Sequence, residues 1–409
     1  MRIPVCVICK GGKLLCGKKV CPILERVKFW KKTIENVKDF VGTSPPSLFV
    51  GRAFYPRVFV GILSPPQQME SAGLLDFPEK WFEQKSTIDQ ILNYRGQLVY
   101  SRFKSDVKNP KGKLMEVTQE LSMSKKPTDV EIQLKKKPRF TFSFDPWVTP
   151  IGNPAPVVKA ELTENPSVER RVEYLVSDHD IKAQDAVLEL YKHKLPVSRI
   201  QKIFSAGLLG VTIQRKLCPT RWSITATDSI ISRSSIDKIK NYPELNEIRL
   251  FSNTYLGNHF EILLIPGPWR FEVIEAKFPG SVWNLTGRRV AIYSDWENYW
   301  GRKTYADRVG GAYYSARLAC SEYLRSIKRQ ASVLVLREVY EEYYAPMGVF
   351  VIRETCREAF KKSHETFSDL SQALNVVSNR MKLRKEFWYK NSKLLEEFRV
   401  QKSLKYYWT

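Results

Sequence analysis

The sequence has no apolar run of about 18 residues, the length a membrane-spanning helix needs. Its opening Met-Arg-Ile-Pro leads straight into cysteines without the apolar core of a secretory leader, so an intracellular, cytoplasmic and nucleoid-associated protein is expected. Histidine is scarce: His179, His193, His259 and His364 are the whole supply in 409 residues. That scarcity argues against a histidine-rich binuclear metal site and against a nuclease with several histidine ligands. The patterns G-x-x-x-x-G-K-[ST], H-E-x-x-H and G-x-S-x-G do not occur, and no repeat of fixed period is present. Acidic residues are in deficit, 43 against 66 lysines and arginines, which leaves a formal charge of +23. Such an excess attracts polyanions, nucleic acid first and acidic membrane surfaces second. A basic housekeeping protein without a polyanion partner is the plainer alternative. The 43% hydrophobic and 12% aromatic content argues against disorder and suffices for two core domains or one large one.

The last nine residues are QKSLKYYWT. In a 3₁₀ turn, side chains three apart eclipse, so Gln401, Leu404 and Tyr407 share an edge with Trp408 beside them. Leu404, Tyr407 and Trp408 then make an apolar plug and Gln401 a polar latch, while Lys402 and Lys405 need no burial. The arrangement resembles the PCNA-interacting peptide of clamp-binding proteins, which makes the PCNA sliding clamp an expected partner. An aromatic tail packed on its own protein is the alternative.

At the other end, Cys6, Cys9, Cys16 and Cys21 stand in the spacing Cys-x2-Cys-x6-Cys-x4-Cys. Four thiolates complete a tetrahedral zinc shell, and Gly11, Gly12 and Gly17 permit the turns that bring the pairs together. A structural zinc is therefore expected, with a disulfide pair or an iron–sulfur cluster as open alternatives. Lys10, Lys13, Lys18 and Lys19 surround these ligands and are candidates for phosphate contact. Cys218, Cys320 and Cys356 read as core residues.

Between the ends, residues 25–40 predict a basic amphipathic helix through Val27, Trp30, Ile34, Val37 and Phe40. Two short strands are expected around Tyr55-Pro56 within SPPSLFVGRAFYPRVFVGILSPP, then a helix and a strand over 86–104. Lys135, Lys136, Lys137 and Arg139 lead into an FTFSF strand, and 145–166 reads as proline-rich loop. Residues 168–206 predict helices broken at Leu195-Pro196. Strands are expected from 207 to 294, in VTIQRKL, SITATDSIIS, FEILLIPG and RRVAIYS. A helix is then predicted near 309–343, a strand near 347–353 and a long charged helix over 355–398.

Four core segments carry candidate chemistry. On a strand from Arg221, alternation would place Arg221, Ser223, Thr225 and Thr227 on one face with Asp228 near its end, a set able to hold phosphate or a nucleotide. A half-exposed structural strand is the plainer account. Asp178-His179-Asp180 offers carboxylates for a divalent metal, although an N-cap followed by first-turn acids is simpler. Asp295 and Glu297 follow the RRVAIYS strand, with Arg302 and the glycines Gly310 and Gly311 soon after. A loop there would suit nucleotide or phosphodiester chemistry, against the alternative of tight glycine-enabled packing, and an Asp/Glu site for a second divalent metal elsewhere in the core stays open. Lys182–Ser205 resembles a helix-turn-helix in which Arg199 and Lys202 would face DNA, a geometry equally common in protein cores.

The chain as a whole resembles the archaeal Nre family of DNA repair proteins. The resemblance is carried by CVICKGGKLLCGKKVCPI, the SPPSLFVGRAFYPRVFVGILSPP segment, FDPWVTPIGNPAP, VSRIQKIFSAGLLG, PTRWSITATDS and YLGNHFEILLIPGPW. GRKTYADRVGGAYYSARLA, YYAPMGVFVIRE and the terminal peptide complete it. It implies resistance to DNA damage and partnership with PCNA, and no particular chemistry. The expected architecture is α+β: a zinc-type module (1–24), a mixed core rich in antiparallel sheet (25–206 and 207–354), a helical region (355–398) and a clamp-binding tail (399–409). The expected function is a DNA-binding repair factor recruited to PCNA. The alternatives are a metal-dependent nuclease or nucleotide-dependent transferase acting at the clamp, and an RNA-binding or processing factor.

Overall fold

The computed structural model describes residues 9, 13–15, 17, 21, 37–138 and 151–400. The clamp-type tail, the FTFSF segment, Cys6, Cys16, Lys10, Lys18 and Lys19 lie outside those residues, as does most of the helix expected over 25–40. The chain divides into two units, Met1–Ile231 and Ser232–Thr409. The α+β expectation holds, with a six-stranded mixed sheet in each unit. No helix among the described residues is long and apolar enough to cross a membrane.

In the first unit, strands β1 (Asp39–Ser44), β2 (Leu48–Val50), β3 (Arg57–Ser64), β4 (Val99–Asp106), β5 (Thr128–Leu134) and β6 (Asn153–Leu162) lie in the order β1-β5-β6-β4-β3-β2. Phe40, expected at the end of a helix, is instead on β1. The strands expected around Tyr55-Pro56 are β2 and β3, which pair antiparallel. The proline-rich 145–166 stretch contains β6 rather than loop alone. Pro154 and Pro156 fall in the half of β6 that pairs with β4, before the register with β5 begins at Val157, so their missing N–H groups interrupt no ladder on that side.

Helices α1 (Pro78–Glu83), α2 (Ile88–Gly96) and α3 (Lys113–Met123) connect these strands. Val117 and Leu121 of α3 bury against Ile62, Val130, Ile132 and Ala155 on one sheet face. Leu63 and Tyr100, on the other face, pack with Leu75, Leu98 and Tyr94. Burying each such side chain contributes about 1.5–3 kcal/mol. Helices α4 (Arg170–Ser177), α5 (Ala183–Lys192) and α6 (Val197–Ser205) follow, broken at Leu195-Pro196 as expected.

Helix α7 (Thr220–Ile239) corrects the SITATDSIIS strand. Its buried stripe runs through Ser223, Thr227, Ile231, Ser235 and Ile239 at every fourth position, with Asp228, Ser232 and Ile236 buried beside it. That is helical spacing, but hydroxyls occupy much of the stripe and leave no apolar period to detect. Only a short 3₁₀ turn, Thr212–Gln214, stands where VTIQRKL was expected to be a strand.

The second unit orders its strands β10 (Ala291–Glu297), β9 (Arg270–Lys277), β11 (Ser332–Val339), β8 (Asn258–Ile265), β7 (Ile248–Tyr255) and β12 (Glu365–Phe367). β7 and β8 form a hairpin around Leu256-Gly257, both in the left-handed region at φ 48° and 69°. A Cβ on Gly257 would come within 2.8 Å of the Tyr343 nitrogen, so only glycine suits that corner. β11 is parallel to β9 and antiparallel to β8.

Three expectations fail in this unit. The helix expected to 343 stops as α8 (Gly311–Ser326), and its second half is β11, buried along its entire length. A strand covered on both faces loses the alternation that would mark it. The strand near 347–353 is the start of α9 (Phe350–Ala359). The single charged helix is divided by β12 and then forms α10 (Leu370–Arg380), α11 (Lys385–Asn391) and α12 (Lys393–Val400).

Helices α10 to α12 cover one face of this sheet through Leu374, Val377, Trp388, Leu394 and Leu395. Two strand carboxylates hold them in place. Glu272 of β9 accepts from the Lys393 and Leu394 N–H groups, both at 3.0 Å, and from the Ser392 hydroxyl at 2.6 Å. Glu338 of β11 accepts from the Lys382 and Leu383 N–H groups at 2.8 and 2.7 Å. Each carboxylate satisfies amide donors at a helix entry, as an N-cap does, from far away in sequence.

Candidate functional site

Asp295 and Glu297 lie on β10 itself rather than on a loop after it. Two residues apart on a strand, they point to one face, opposite Val273 and Phe271 of β9. Both are buried. Arg302 meets Asp295 at 3.2 Å and also donates to the carbonyls of Trp296 (2.9 Å), Tyr305 (3.1 Å) and Thr304 (3.3 Å). The Val309 N–H, just before α8, donates to Asp295 Oδ2 at 2.7 Å. Glu297 pairs with Arg317 of α8 at 2.8 Å and accepts from the Trp269 indole N–H at 3.2 Å. Arg317 also donates to the Ser232 hydroxyl at 3.2 Å, and its guanidinium stands 5.4 Å from the ring centres of Tyr313 and of Tyr314.

Burial pushes the Asp295 carboxyl up, opposed by the Val309 N–H and Arg302. Burial and the neighbouring Glu297 push the Tyr313 hydroxyl far above its usual range, so it stays protonated at neutral pH. Asp295, Glu297 and Arg302 therefore do come together, with Arg317 and Tyr313, which sequence reasoning missed. Their bonding is directed inward. The set fastens the 298–310 connection and the start of α8 to the edge strand, and Gly310 turns the chain there at φ 64°.

The other candidates separate. Arg221 is exposed on the first turn of α7, while Asp228, two turns on, is buried and takes the Gln201 amide at 3.4 Å. The shared strand face is thus corrected: on a helix those two side chains do not meet a common ligand. Asp178 caps the end of α4 and accepts from the Asp180 and Ile181 N–H groups at 2.9 and 3.0 Å. It is a turn former after a helix, not the N-cap of one.

The α5–α6 pair has the expected turn, but Arg199 and Lys202 point inward. Arg199 forms a bidentate pair with Glu169 and donates to the Ser124 carbonyl at 3.1 Å. Lys202 meets the buried Asp76 at 3.0 Å. Burial would push the Asp76 carboxyl up, but Arg95 and Lys202 hold it below the ordinary carboxylate range. Neither cation is presented to DNA.

Among the described residues, no group of three or more His, Cys, Asp or Glu could hold a metal ion. Of the expected zinc ligands, Cys9 and Cys21 are described and both are buried, and Lys13 is exposed.

A surface that the sequence did not single out lies in the first unit. The β2–β3 turn carries Phe54 and Tyr55, 75% and 49% exposed, and Trp222 of α7 is 44% exposed with its ring 5.4 Å from that of Tyr55. The Val50 N–H donates to the Thr220 hydroxyl at 2.9 Å, tying the strand before that turn to the start of α7. Arg102 lies 4.2 Å over the Phe59 ring and Lys104 5.8 Å from it. Arg52, Arg57 and Arg221 are exposed nearby in these same segments. The signal was available in GRAFYPRVFVG and TRW, where arginines alternate with rings.

A family model described as "Archaeal Nre, N-terminal" matches residues 15–284, and one described as "Archaeal Nre, C-terminal" matches residues 297–407. The chain is 38% identical to DNA repair protein NreB of Archaeoglobus fulgidus over 96% of this chain and 97% of that protein. It is 38% identical to DNA repair protein NreA of the same organism over 92% and 93% of the two chains. It is 37% identical to DNA repair protein NreA of Haloferax volcanii, with 83% of each chain covered. No solved structure matches the chain.

Replacing Glu297 by alanine leaves the buried Arg317 without its carboxylate. The expected cost is about 3–5 kcal/mol of stability, read by urea unfolding. A variant as stable as the parent would show that Glu297 is free to serve chemistry instead.

Proposed function

Since the chain belongs to the archaeal Nre family, we propose that it is a DNA repair protein that binds DNA through its basic surface and is brought to the PCNA sliding clamp by Gln401, Leu404, Tyr407 and Trp408. The observation that carries the repair reading is the match, over nearly the full length of both chains, to proteins named for DNA repair. The formal charge of +23 supports DNA as the partner. The terminal spacing supports the clamp. Helix α12 adds an anchor: Leu394 and Leu395 are buried in the sheet's cover, and the helix runs to Val400, the residue before Gln401. Asp295 is engaged by Arg302 and the Val309 N–H, and Glu297 by Arg317 and the Trp269 indole, so the geometry favours a binding protein over a nuclease or transferase working through those residues.

Cys6, Cys9, Cys16 and Cys21 would hold a structural zinc in this reading. The burial of Cys9 and Cys21 in a lysine-rich stretch and the all-thiolate donor set fit that ion. A bound zinc would fix the loops around Gly17 and take no part in a reaction.

Calorimetric titration of PCNA with the full chain is expected to give a complex that deletion of residues 401–409 weakens by about 100-fold or more, as loss of a buried aromatic anchor does. Unchanged affinity after the deletion would remove the tail from the proposal. Metal analysis should find about one zinc per chain, lost in a Cys9→Ser, Cys21→Ser variant together with thermal stability. Metal-free protein with the parental melting temperature would overturn the zinc assignment.

A further inference from the structure

The aromatic–basic surface at the β2–β3 turn carries a more specific reading, which rests on the DNA-binding proposal above. We propose that Phe54, Tyr55 and Trp222 form a stacking platform for unpaired bases of single-stranded DNA, with Arg57, Arg102 and Lys104 holding its phosphates.

Three large rings stand open to solvent within the first unit, at 75%, 49% and 44% exposure. Such rings are ordinarily buried, and a cluster of them on a surface marks a binding site. Phe54 is held at φ 66°, a region that bulky side chains rarely enter, and its exposed ring stands edge-on to that of Phe59 at 6.5 Å. The Tyr55 and Trp222 rings, 5.4 Å apart and inclined at 53°, leave faces for a third ring.

The charge around the rings decides the partner. On the same sheet face as Phe59, cross-strand neighbours supply Arg102 and Lys104, and Arg57 stands opposite Asp106. Asp106 is the one carboxylate in that register, and it accepts the Lys108 N–H at 2.8 Å. Arg221 adds a further exposed cation beside Trp222. Cations interleaved with rings are the recognition chemistry of single strands: phosphates follow the cations and bases stack on the rings without regard to sequence. A duplex offers the same phosphates, but its base faces are already stacked on each other.

The test compares fluorescence anisotropy of three labelled probes at one salt concentration: an oligothymidylate, an abasic strand of the same length, and a duplex. The full chain should bind the oligothymidylate about tenfold or more tightly than the abasic strand. Phe54→Ala, Tyr55→Ala and Trp222→Ala should each weaken oligothymidylate binding by about five- to tenfold, leave duplex binding within about twofold, and melt like the parent. Unchanged oligothymidylate affinity in all three, with duplex binding intact, would overturn the platform and leave the DNA reading standing. Equal affinity for abasic and base-bearing strands would overturn it too. No binding of any probe by the parent protein would sink the DNA reading and this inference together. Binding to anionic vesicles that the same variants lose, with no effect on oligothymidylate, would assign the rings to a membrane surface and overturn the proposal.

Discussion

In the middle of the second unit's sheet, the parallel neighbours β9 and β11 carry Glu275 and Arg337 in register on one face. Both are buried, and they are ion-paired. Lys277 adds a second cation to Glu275 at 3.2 Å, and Asn258 accepts two bonds from Arg337 at 3.0 and 2.6 Å. The Arg337 guanidinium also lies over Trp283 and Phe260, at 5.5 and 5.6 Å. Ionised groups taken out of water cost several kcal/mol each unless they are paired and hydrogen-bonded. Burial would push the Glu275 carboxyl up, and Arg337 with Lys277 holds it below the ordinary range instead. The pair also fixes register, since a one-residue slip of either strand would put the two charges on opposite faces and leave each without its partner.

The rest of the unit extends the same logic. Glu272 and Glu338 face the other side and hold the entries of α12 and α11. Glu297 and Asp295 fasten α8 and its preceding connection to the edge strand. Acids and arginines that look like chemistry in the sequence are thereby spent on architecture, and the surfaces left for partners are elsewhere. In the first unit the proposed surface is one of exposed rings among arginines. The clamp contact proposed for the terminal peptide rests on Gln401, Leu404, Tyr407 and Trp408.

How far the sequence spoke depended on what each element buries. β2, β3, α2, β4 and the α4–α6 run were legible because apolar residues alternate or recur there and prolines punctuate them. α7 was not, because Ser223, Thr227 and Ser235 line its buried stripe, and β-branched residues between them imitate a strand. β11 was not, because burial on both faces erased its alternation. The grouping of Asp295, Glu297 and Arg302 was legible from proximity in sequence. Their inward bonding was not, since Trp269 and Arg317 reach them from other elements. Arg199 and Lys202 had the right positions for a recognition helix, and only their partners Glu169 and Asp76, distant in sequence, show that they are committed to the fold.

The most direct measurement on the buried charge network is a double-mutant cycle of Glu275→Gln and Arg337→Met, read by urea unfolding of the two single variants and the double variant. The structure predicts a coupling of about 2 kcal/mol or more, with the double variant losing less than the sum of the singles. Losses that add to within about 0.5 kcal/mol would contradict it, because charges that do not depend on one another cannot be what sets the register of the sheet.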